Sequence, residues 1–438
     1  MKIAVIGAGY VGLVTGVCLA EIGHEIICID NNPDKIKKLK SGKVPFFEPN
    51  LEPLIVYNVN EGRLRFSSNI GEGVEECEVV FLCVGTPPKE DGSANLEYVE
   101  QVIDDIAKHM KSYKVIVEKS TVPVQTNEWL EKLLKKHLKD KNVEFDIASN
   151  PEFLREGSAV WDFMNSDRIV IGVNSERAAN LLMNVYRPLN APLLVTDINS
   201  AEIIKHASNA FLATKISFIN FVANLCEKTG ADIEKVKMGI GMDKRIGMDF
   251  LNAGIGYGGS CFPKDVAAFI SIAGKLKVDN SILSSVSKIN KDQVLNFIEK
   301  IKSSVADLKG KEIALLGLSF KPNTDDIREA PSLIIIDALI KQGAKLRVYD
   351  PEAMDNVKAL YPDLYYAKSA MEAISSSYAA VFITEWQEFK WIDFLTVRNN
   401  TNCRIIFDGR NLFNPERMEK LGFDYYSIGR RTGNKVLV

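Results

Sequence analysis

Residues 2–30 constrain this chain more than any other stretch. Lys2 to Ile6 is an apolar run of strand length, and it leads into Gly7-Ala8-Gly9-Tyr10-Val11-Gly12, which fits G-x-G-x-x-G. An apolar helical stretch follows to about Ile22, Gly23 offers a helix stop, and a second strand, Glu25 to Ile29, ends in Asp30. Strand, glycine turn, helix, strand and acid in that order make a dinucleotide-binding unit. Gly7 serves the tight turn, Gly9 the close approach of a pyrophosphate, Gly12 the packing of helix on strand, and Asp30 the adenosine ribose hydroxyls. The helix N-terminus then faces the phosphates. A carboxylate at Asp30 would repel a 2′-phosphate, so NAD is expected rather than NADP. The glycine motif alone would say little; its context and the distance to the acid give it weight.

Three more strands end in polar loops. Glu78 to Val84 runs into Gly85-Thr86-Pro87-Pro88, and Lys114 to Glu118 into Lys119-Ser120-Thr121-Val122-Pro123. Phe145 to Ala148 runs into Ser149-Asn150-Pro151-Glu152-Phe153-Leu154-Arg155-Glu156-Gly157. In open α/β sheets ligands sit beyond the C-terminal strand ends, so these loops point at the cofactor crevice. Glu152 and Glu156 are candidates for water activation or cofactor contact, against the plain alternative of solvated loop carboxylates. Thr86 and Thr121 offer hydroxyls, or are ordinary turn residues.

The remaining composition narrows the class. At 438 residues, two or three domains are expected, and 46% hydrophobic residues suffice for large cores. A formal charge of −3 gives no electrostatic case for nucleic acid. The N-terminus does not read as a signal peptide, and no apolar run is long enough for a bilayer. Seven cysteines form no CxxC pair, and His24, His109, His137 and His206 have no metal-ligand spacing, so no metal is expected. A soluble protein of the reducing cytoplasm is the simplest reading.

Asn199-Ser200 offers a helix cap, and no Pro or Gly interrupts Ala201 to Thr229 before Gly230. One long helix is expected there, able to join two domains and supply a dimer surface. Its apolar positions, among them Ile204, Ala207, Phe211, Ile216, Ile219, Val222 and Leu225, cover much of its circumference, which predicts burial on several sides. Lys205 and Asn209 share a face at i, i+4 and invite an anion or a developing oxyanion, or else mark a polar seam. Gly254-Ile255-Gly256-Tyr257-Gly258-Gly259-Ser260-Cys261-Phe262-Pro263-Lys264-Asp265 then sets glycines ahead of a thiol, with a lysine and an aspartate behind it. Such surroundings can make a nucleophile of a cysteine; the alternative is a glycine turn before an inert, buried one. From about Leu308 a second β–α–β start appears (Glu312 to Leu316, a helix from Ser332 to Lys341, Lys345 to Tyr349) without the glycine fingerprint. A Rossmann-like sheet that does not hold its own dinucleotide phosphates is expected, with Lys321, Arg328 and Arg410 in strand-end loops suited to phosphate or sugar. The fold class is therefore α/β: two Rossmann-like doubly wound domains, 1–197 and 306–438, joined by a long central helix and helical middle region, 198–305.

Taken together, the glycine motif with Asp30, Val84-Gly85-Thr86-Pro87, Lys119 to Pro123, Asn150 to Gly157, Lys205 with Asn209, Gly258 to Asp265, and Phe320-Lys321-Pro322 through Arg328 resemble the UDP-glucose dehydrogenase family, within the nucleotide-sugar dehydrogenases that include GDP-mannose dehydrogenases. The resemblance covers almost the whole chain. It implies two successive oxidations of a primary alcohol at sugar carbon 6, each reducing one NAD, in the service of polysaccharide biosynthesis. Cys261 would hold the aldehyde as a thiohemiacetal and then a thioester that water hydrolyses. Asp265 and Glu152 would handle protons, Thr121 would help hold the water, and Lys205 and Asn209 would stabilise oxyanions.

For NAD the resemblance assigns Gly7, Gly9, Val11, Gly12, Asp30 and Lys35, with Thr86, Thr121, Glu156, Lys264 and Arg328. For the nucleotide sugar it assigns Glu152, Phe153, Leu154, Arg155 and Glu156, with Lys205 and Asn209. To these it adds the loop Phe250, Leu251, Asn252, Ala253 and Gly254, then Gly258 and Lys321, with Arg410 nearby. Arg245 would reach the partner subunit's substrate, which implies at least a homodimer. Rival readings are the same chemistry on GDP-mannose or a UDP-N-acetylhexosamine, a one-step β-hydroxyacid-type dehydrogenase, and a catalytically silent nucleotide-sugar sensor. The β-hydroxyacid reading has no need of Cys261 or of a second Rossmann-like domain.

Overall fold

A computed structural model describes residues 1–87, 89, 94–139, 141–305 and 307–430. Pro88 and the last residues, where the sequence leaves room for a disordered tail, lie outside them. The chain packs as two compact units, Met1–Ser208 with Ala267–Val278, and Asn209–Val266 with the chain from Asp279 onward.

The first unit is built on β1 (Lys2–Ile6), β2 (Glu25–Ile29), β3 (Leu64–Ser67), β4 (Val79–Leu82), β5 (Lys114–Glu118), β6 (Phe145–Ser149), β7 (Ile169–Val173) and β8 (Leu193–Thr196). They form one sheet in the order β3-β2-β1-β4-β5-β6-β7-β8, parallel except where β7 meets β6. The first six follow the order of a dinucleotide-binding fold. Ile3 to Ile6 and all of β4 and β5 are buried on both faces, which is why they read as unbroken apolar runs. The register aligns Ile6 with Ile29 and Leu82, Leu82 with Glu118, and Glu118 with Ser149. The loops after β1, β4, β5 and β6 therefore leave one edge of the sheet together.

The second unit carries β9 (Glu312–Leu316), β10 (Lys345–Tyr349), β11 (Tyr365–Tyr366), β12 (Ala379–Phe382), β13 (Ile405–Asp408) and β14 (Asp424–Tyr426). Their order, β11-β10-β9-β12-β13-β14, repeats that of the first six strands, all parallel.

The long helix is Ile198–Thr229, 32 residues, about 48 Å at 1.5 Å per residue. The structure corrects two expectations about it. It begins ahead of Asn199-Ser200, and the cap is Asp197, whose Oδ1 accepts from Ser200 N (2.8 Å). Nor is it buried on several sides within one chain. Glu202, Lys205, Asn209, Ala213, Ser217, Asn220 and Ala223 face inward, while Phe211, Phe218, Phe221 and Leu225 are exposed. Alanine, serine and asparagine fill the inward stripe because backbone and polar partners approach it closely, leaving the large apolar groups on the other side.

At the end of β5 two ionisable groups are buried side by side. Glu118 Oε1 accepts from Ser120 N (2.8 Å), and its other oxygen has no hydrogen-bond partner among the described residues. Burial, with a smaller contribution from Glu202, pushes its carboxyl up to about 8. Burial brings the adjacent Lys119 ammonium down to about 8. Lys119 Nζ donates to Asn150 Oδ1 (3.0 Å), and Asn150 Nδ2 donates to the Val170 carbonyl (2.7 Å), which ties β5, β6 and β7 together. A carboxyl with a raised native pKa favours the fold below its unfolded value and loses that contribution as pH rises towards about 8, by on the order of 1 kcal/mol per unit. Lys119 has the opposite sign and adds stability only above about 8. Between pH 6 and 8 the thermal midpoint should therefore fall less in Glu118→Gln than in the parent. Equal slopes would mean that Glu118 is ionised in the fold throughout that range.

Candidate functional site

In the first unit the glycine turn has the shape its sequence requires. Gly7 sits at φ +100°, and a Cβ there would lie 2.6 Å from the Cys83 carbonyl oxygen. A Cβ on Gly12 would lie 1.8 Å from the Gly7 carbonyl oxygen. A Cβ on Gly9 would meet nothing within 4 Å, so the backbone there is open to a ligand. Helix Tyr10–Glu21 follows, its first turn free of acidic residues and its N-terminus uncapped by any side chain. An uncapped helix N-terminus is an anion site. Asp30, buried at the end of β2, accepts from Ala8 N (3.0 Å), Asn32 N (3.1 Å) and Lys35 Nζ (2.7 Å). These residues fit a dinucleotide: open backbone at the phosphates, and an acid with its lysine at the ribose end.

The loops after β4, β5 and β6 are cross-linked. Thr86 Oγ1 donates to the Thr121 carbonyl (2.9 Å), and Ser120 Oγ to the Val84 carbonyl (2.8 Å). Glu152 is not a solvated loop carboxylate but is 6% exposed. Its Oε2 accepts from Leu154 N (2.6 Å), and Lys205 Nζ reaches both its Oε1 (2.8 Å) and its carbonyl (2.6 Å). Arg155 turns to Asp162 in a two-point pair (2.6 and 3.0 Å), so the guanidinium is engaged on the protein itself. Two residues that sequence reasoning passed over flank Lys205 on the long helix. Glu202 accepts from Gln125 N (2.6 Å) and Asn127 N (3.1 Å), and His206 Nε2 meets the Val122 carbonyl (2.8 Å). The only sequence signal was for Glu202, a polar residue at helical spacing from Lys205; His206, its immediate neighbour, gave none.

In the second unit Asn209, one helical turn beyond Lys205, donates from Nδ2 to Asp265 Oδ2 (2.6 Å), and Lys264 Nζ lies 3.1 Å from Asp265 Oδ1. Asp265 is 1% exposed. Helix Phe262–Lys275 starts directly after Cys261, whose carbonyl accepts from Asp265 N (2.8 Å). The thiol thus stands at a helix N-terminus, where partial positive charge favours an anion. Of the seven free cysteines six are buried, and Cys261 alone is not.

The glycine run ahead of Cys261 is held through its backbone. Asn290 Oδ1 accepts from Tyr257 N (2.8 Å) and its Nδ2 donates to the Tyr257 carbonyl (3.0 Å). Asn220 accepts from Gly254 N (2.9 Å), and Gln293 donates to the Gly254 carbonyl (2.9 Å). A Cβ on Gly258 would lie 2.2 Å from the Glu329 carbonyl oxygen, and Gly259 N donates to the Arg328 carbonyl (2.9 Å). Arg410 Nε and Nη1 donate to the carbonyls of Ile383 (2.7 Å) and Gly256 (3.0 Å), so its guanidinium braces this run. Arg328 pairs with Asp326 (2.7 Å), and the largely exposed Arg245 pairs with Asp243 (2.6 Å). Lys321 Nζ lies 5.5 Å from the Phe320 ring. Phe250 takes φ +62° and its ring lies 6.2 Å from that of Phe262, which shapes the loop 250–254.

At the first turn of the second sheet, Asp350 occupies the position that Asp30 has in the first. Its Oδ2 accepts from Leu318 N (2.6 Å), Ser319 N (3.1 Å) and Trp386 Nε1 (2.9 Å). Asp30 likewise takes Ala8 N, the counterpart of Leu318 N; the difference is that Ser319 N, at the position of Gly9, is here taken by the protein itself.

Comparison with known proteins agrees with this geometry. Family profiles match at residues 1–190 (UDP-glucose/GDP-mannose dehydrogenase family, NAD binding domain), 199–292 (central domain) and 314–415 (UDP binding domain). The UDP-glucose 6-dehydrogenase YwqF of Bacillus subtilis is 49% identical over 432 residues, covering 98% of each chain. The UDP-glucose 6-dehydrogenase of Pseudomonas aeruginosa is 43% identical over 442 residues, again with 98% of each chain covered. Among solved structures, a UDP-glucose dehydrogenase from Pyrobaculum islandicum superimposes with a TM-score of 0.92 at 36% identity, covering 98% of both chains. A UDP-D-ManNAc dehydrogenase from Pyrococcus horikoshii gives 0.86 at 27%, covering 98% of this chain and 99% of that one. The chain belongs to the UDP-glucose/GDP-mannose dehydrogenase family.

Proposed function

We propose that this chain oxidises carbon 6 of UDP-glucose to the carboxylate, giving UDP-glucuronate, with Cys261 as the covalent nucleophile. It is an NAD-dependent dehydrogenase. The observation that carries the mechanism is the one cysteine not buried, placed at a helix N-terminus one turn ahead of an aspartate held by Asn209. NAD, when bound, accepts a hydride from carbon 6 in each oxidation. Gly7, Gly9, Val11, Gly12, Asp30 and Lys35 would bind it, with Thr86, Thr121, Glu156, Lys264 and Arg328.

Asp265 and Glu152 take the hydroxyl proton and later activate water that Thr121 helps to hold. The Cys261 sulfur adds to the aldehyde carbon, and Lys205 and Asn209 donate to the resulting oxyanion. Oxidation of this thiohemiacetal leaves a thioester, which water cleaves to the acid and the free thiol. Each oxyanion donor is paired with a carboxylate, Lys205 with Glu152 and Asn209 with Asp265, so the buried ammonium is not stranded.

The nucleotide sugar is assigned to the backbone of 152–156, to 250–254, and to Gly258 and Lys321, with Arg245 reaching a partner subunit's substrate. The second sheet serves the sugar nucleotide, in keeping with the functional segments 1–197, 198–305 and 306–438. Phe211, Phe218, Phe221 and Leu225 recur at helical spacing and leave an apolar face on the long helix that a second copy of this chain would cover. Cytoplasmic residence suits seven cysteines none of which is joined in a disulfide. GDP-mannose or a UDP-N-acetylhexosamine remains the alternative substrate, since the same catalytic groups would serve.

With excess NAD and limiting UDP-glucose, two NADH should form per sugar. One would remove the thioester, and none would move the search to the other nucleotide sugars. Cys261→Ser should lower full turnover by at least ~10³-fold while NADH titration stays unchanged. Asn290→Ala should cut kcat ~10–100-fold through misplacement of the cysteine loop, again without loss of NADH affinity. Parent-like kcat in that variant would mean that the loop needs no such brace.

A further inference from the structure

Glu48, in the segment between helices Pro33–Lys40 and Leu51–Asn60, has no role in the chemistry above, yet it is 6% exposed and both its oxygens are used. Its Oε2 accepts from Gly157 N (2.7 Å) and, in a short contact, from the Tyr10 hydroxyl. Its Oε1 accepts from Ala159 N (2.8 Å). Tyr10 is the first residue of the helix whose N-terminus follows the open glycine turn, and its ring packs on Phe46 with centroids 4.8 Å apart. Gly157, at φ +82°, directly follows the stretch 152–156. Burial, then the bond to Glu48, then the nearby Glu48 and Glu156 charges hold the Tyr10 phenol far above its ordinary value, so it keeps its proton and donates. One buried carboxylate thus clasps the start of the pyrophosphate helix to the end of the sugar loop.

We propose that Glu48, acting through Tyr10 and Gly157, is a positioning residue that couples cofactor binding to nucleotide-sugar binding; this rests on the ligand assignments under Proposed function. A ligand seated on 152–156 fixes the Gly157 amide. That amide shares an oxygen with the Tyr10 hydroxyl, and Tyr10 sets the first turn that the cofactor phosphates meet. Fixing one end lowers the cost of ordering the other, and the effect is reciprocal by linkage. A carboxylate that merely capped helix Ala159–Met164 would need only the Ala159 bond.

The test uses calorimetry on the full chain. NADH is titrated into protein alone and into protein saturated with UDP-glucose, a pair that does not turn over, and the reverse titration is run as well. In the parent, each ligand should bind at least ~5-fold tighter in the presence of the other. Tyr10→Phe keeps the bonds of Glu48 to Gly157 and Ala159, and removes the phenol arm of the clasp together with the bond that the Gly157 amide donates to the phenol oxygen (3.1 Å). It should bind each ligand alone within ~2-fold of the parent while the coupling falls towards one. Glu48→Gln, which cannot accept at both positions, should do the same or more. Undiminished coupling in Tyr10→Phe overturns the inference, as does a parent without coupling. Loss of NADH binding by Tyr10→Phe alone overturns it too, because that marks a local structural role. A parent that binds NADH but not UDP-glucose overturns the substrate reading instead, and the coupling with it.

Discussion

The arrangement rests on a buried lysine. Lys205, on an apolar helix and almost without solvent contact, holds the Glu152 carboxylate and carbonyl together. An ammonium in such a place is costly unless it is paired and hydrogen-bonded, and removing one partner of a buried pair typically costs about 3–5 kcal/mol. The pair therefore fixes more than two side chains: it sets where the loop after β6 runs against the helix. Glu202 and His206, three residues before and one after, do the same for the loop after β5. The helix acts as a jig for loops that would otherwise be free to wander at a sheet edge.

The same logic, in a different material, governs the cysteine loop. There the positioning groups are three neutral amides, Asn220, Asn290 and Gln293, and one guanidinium, Arg410, and what they hold is backbone. Asn290 bonds to both the amide and the carbonyl of Tyr257, as a neighbouring strand would. Glycine is required because other backbone lies where a side chain would begin, most tightly at Gly258 against the Glu329 carbonyl. Amides suit this role because they neither titrate nor carry a field that would compete with charge developing at the thiol. The charged groups next to the sulfur in sequence are Lys264 and Asp265, at the helix terminus, while the Arg410 guanidinium holds the run further back, at the Gly256 carbonyl.

Much of this was legible in the residues, for identifiable reasons. β1, β2, β5 and β9 stand where their apolar runs place them, because strands buried on both faces leave continuous signatures, and β10 stands where expected with alternating burial. The glycine turn and Asp30 were readable because each fills a backbone or ribose requirement that few residue types meet. β3, β7 and β8 were not picked out. β3 is four residues with an arginine among them, and β8 is a four-residue strand at the sheet edge with little burial to pattern it. The start of the long helix was misplaced because Asp197, Asn199 and Ser200 are all competent caps, and tertiary context chose among them. That Lys205 would take Glu152, and Asn209 would take Asp265, lay beyond the sequence: helical spacing says which side chains share a face but not what comes to meet them. Glu48 was invisible for the same reason, since its partners are 38 and 109 residues away along the chain.

Where function resides is set by how the two sheets differ. They share one strand order, yet they treat the same topological position in opposite ways. In the first, a Cβ on the middle glycine would meet open space, and the acid at the end of β2 keeps a lysine for company. Both acids accept from the amide after the first glycine, Ala8 N and Leu318 N, but in the second sheet the acid at the end of β10 also takes the next amide, Ser319 N. Trp386 adds its indole to the same oxygen, and Thr384 lies against Gly317. A fold that presents strand ends and helix N-termini offers a site by default, and side chains decide whether it is left open or filled. Filling the second one stabilises that sheet internally and removes a competing position for the dinucleotide. Its remaining loops carry Lys321, Arg328 and the brace at Arg410. Fold duplication without fingerprint duplication is what a two-ligand oxidoreductase needs from two copies of one architecture.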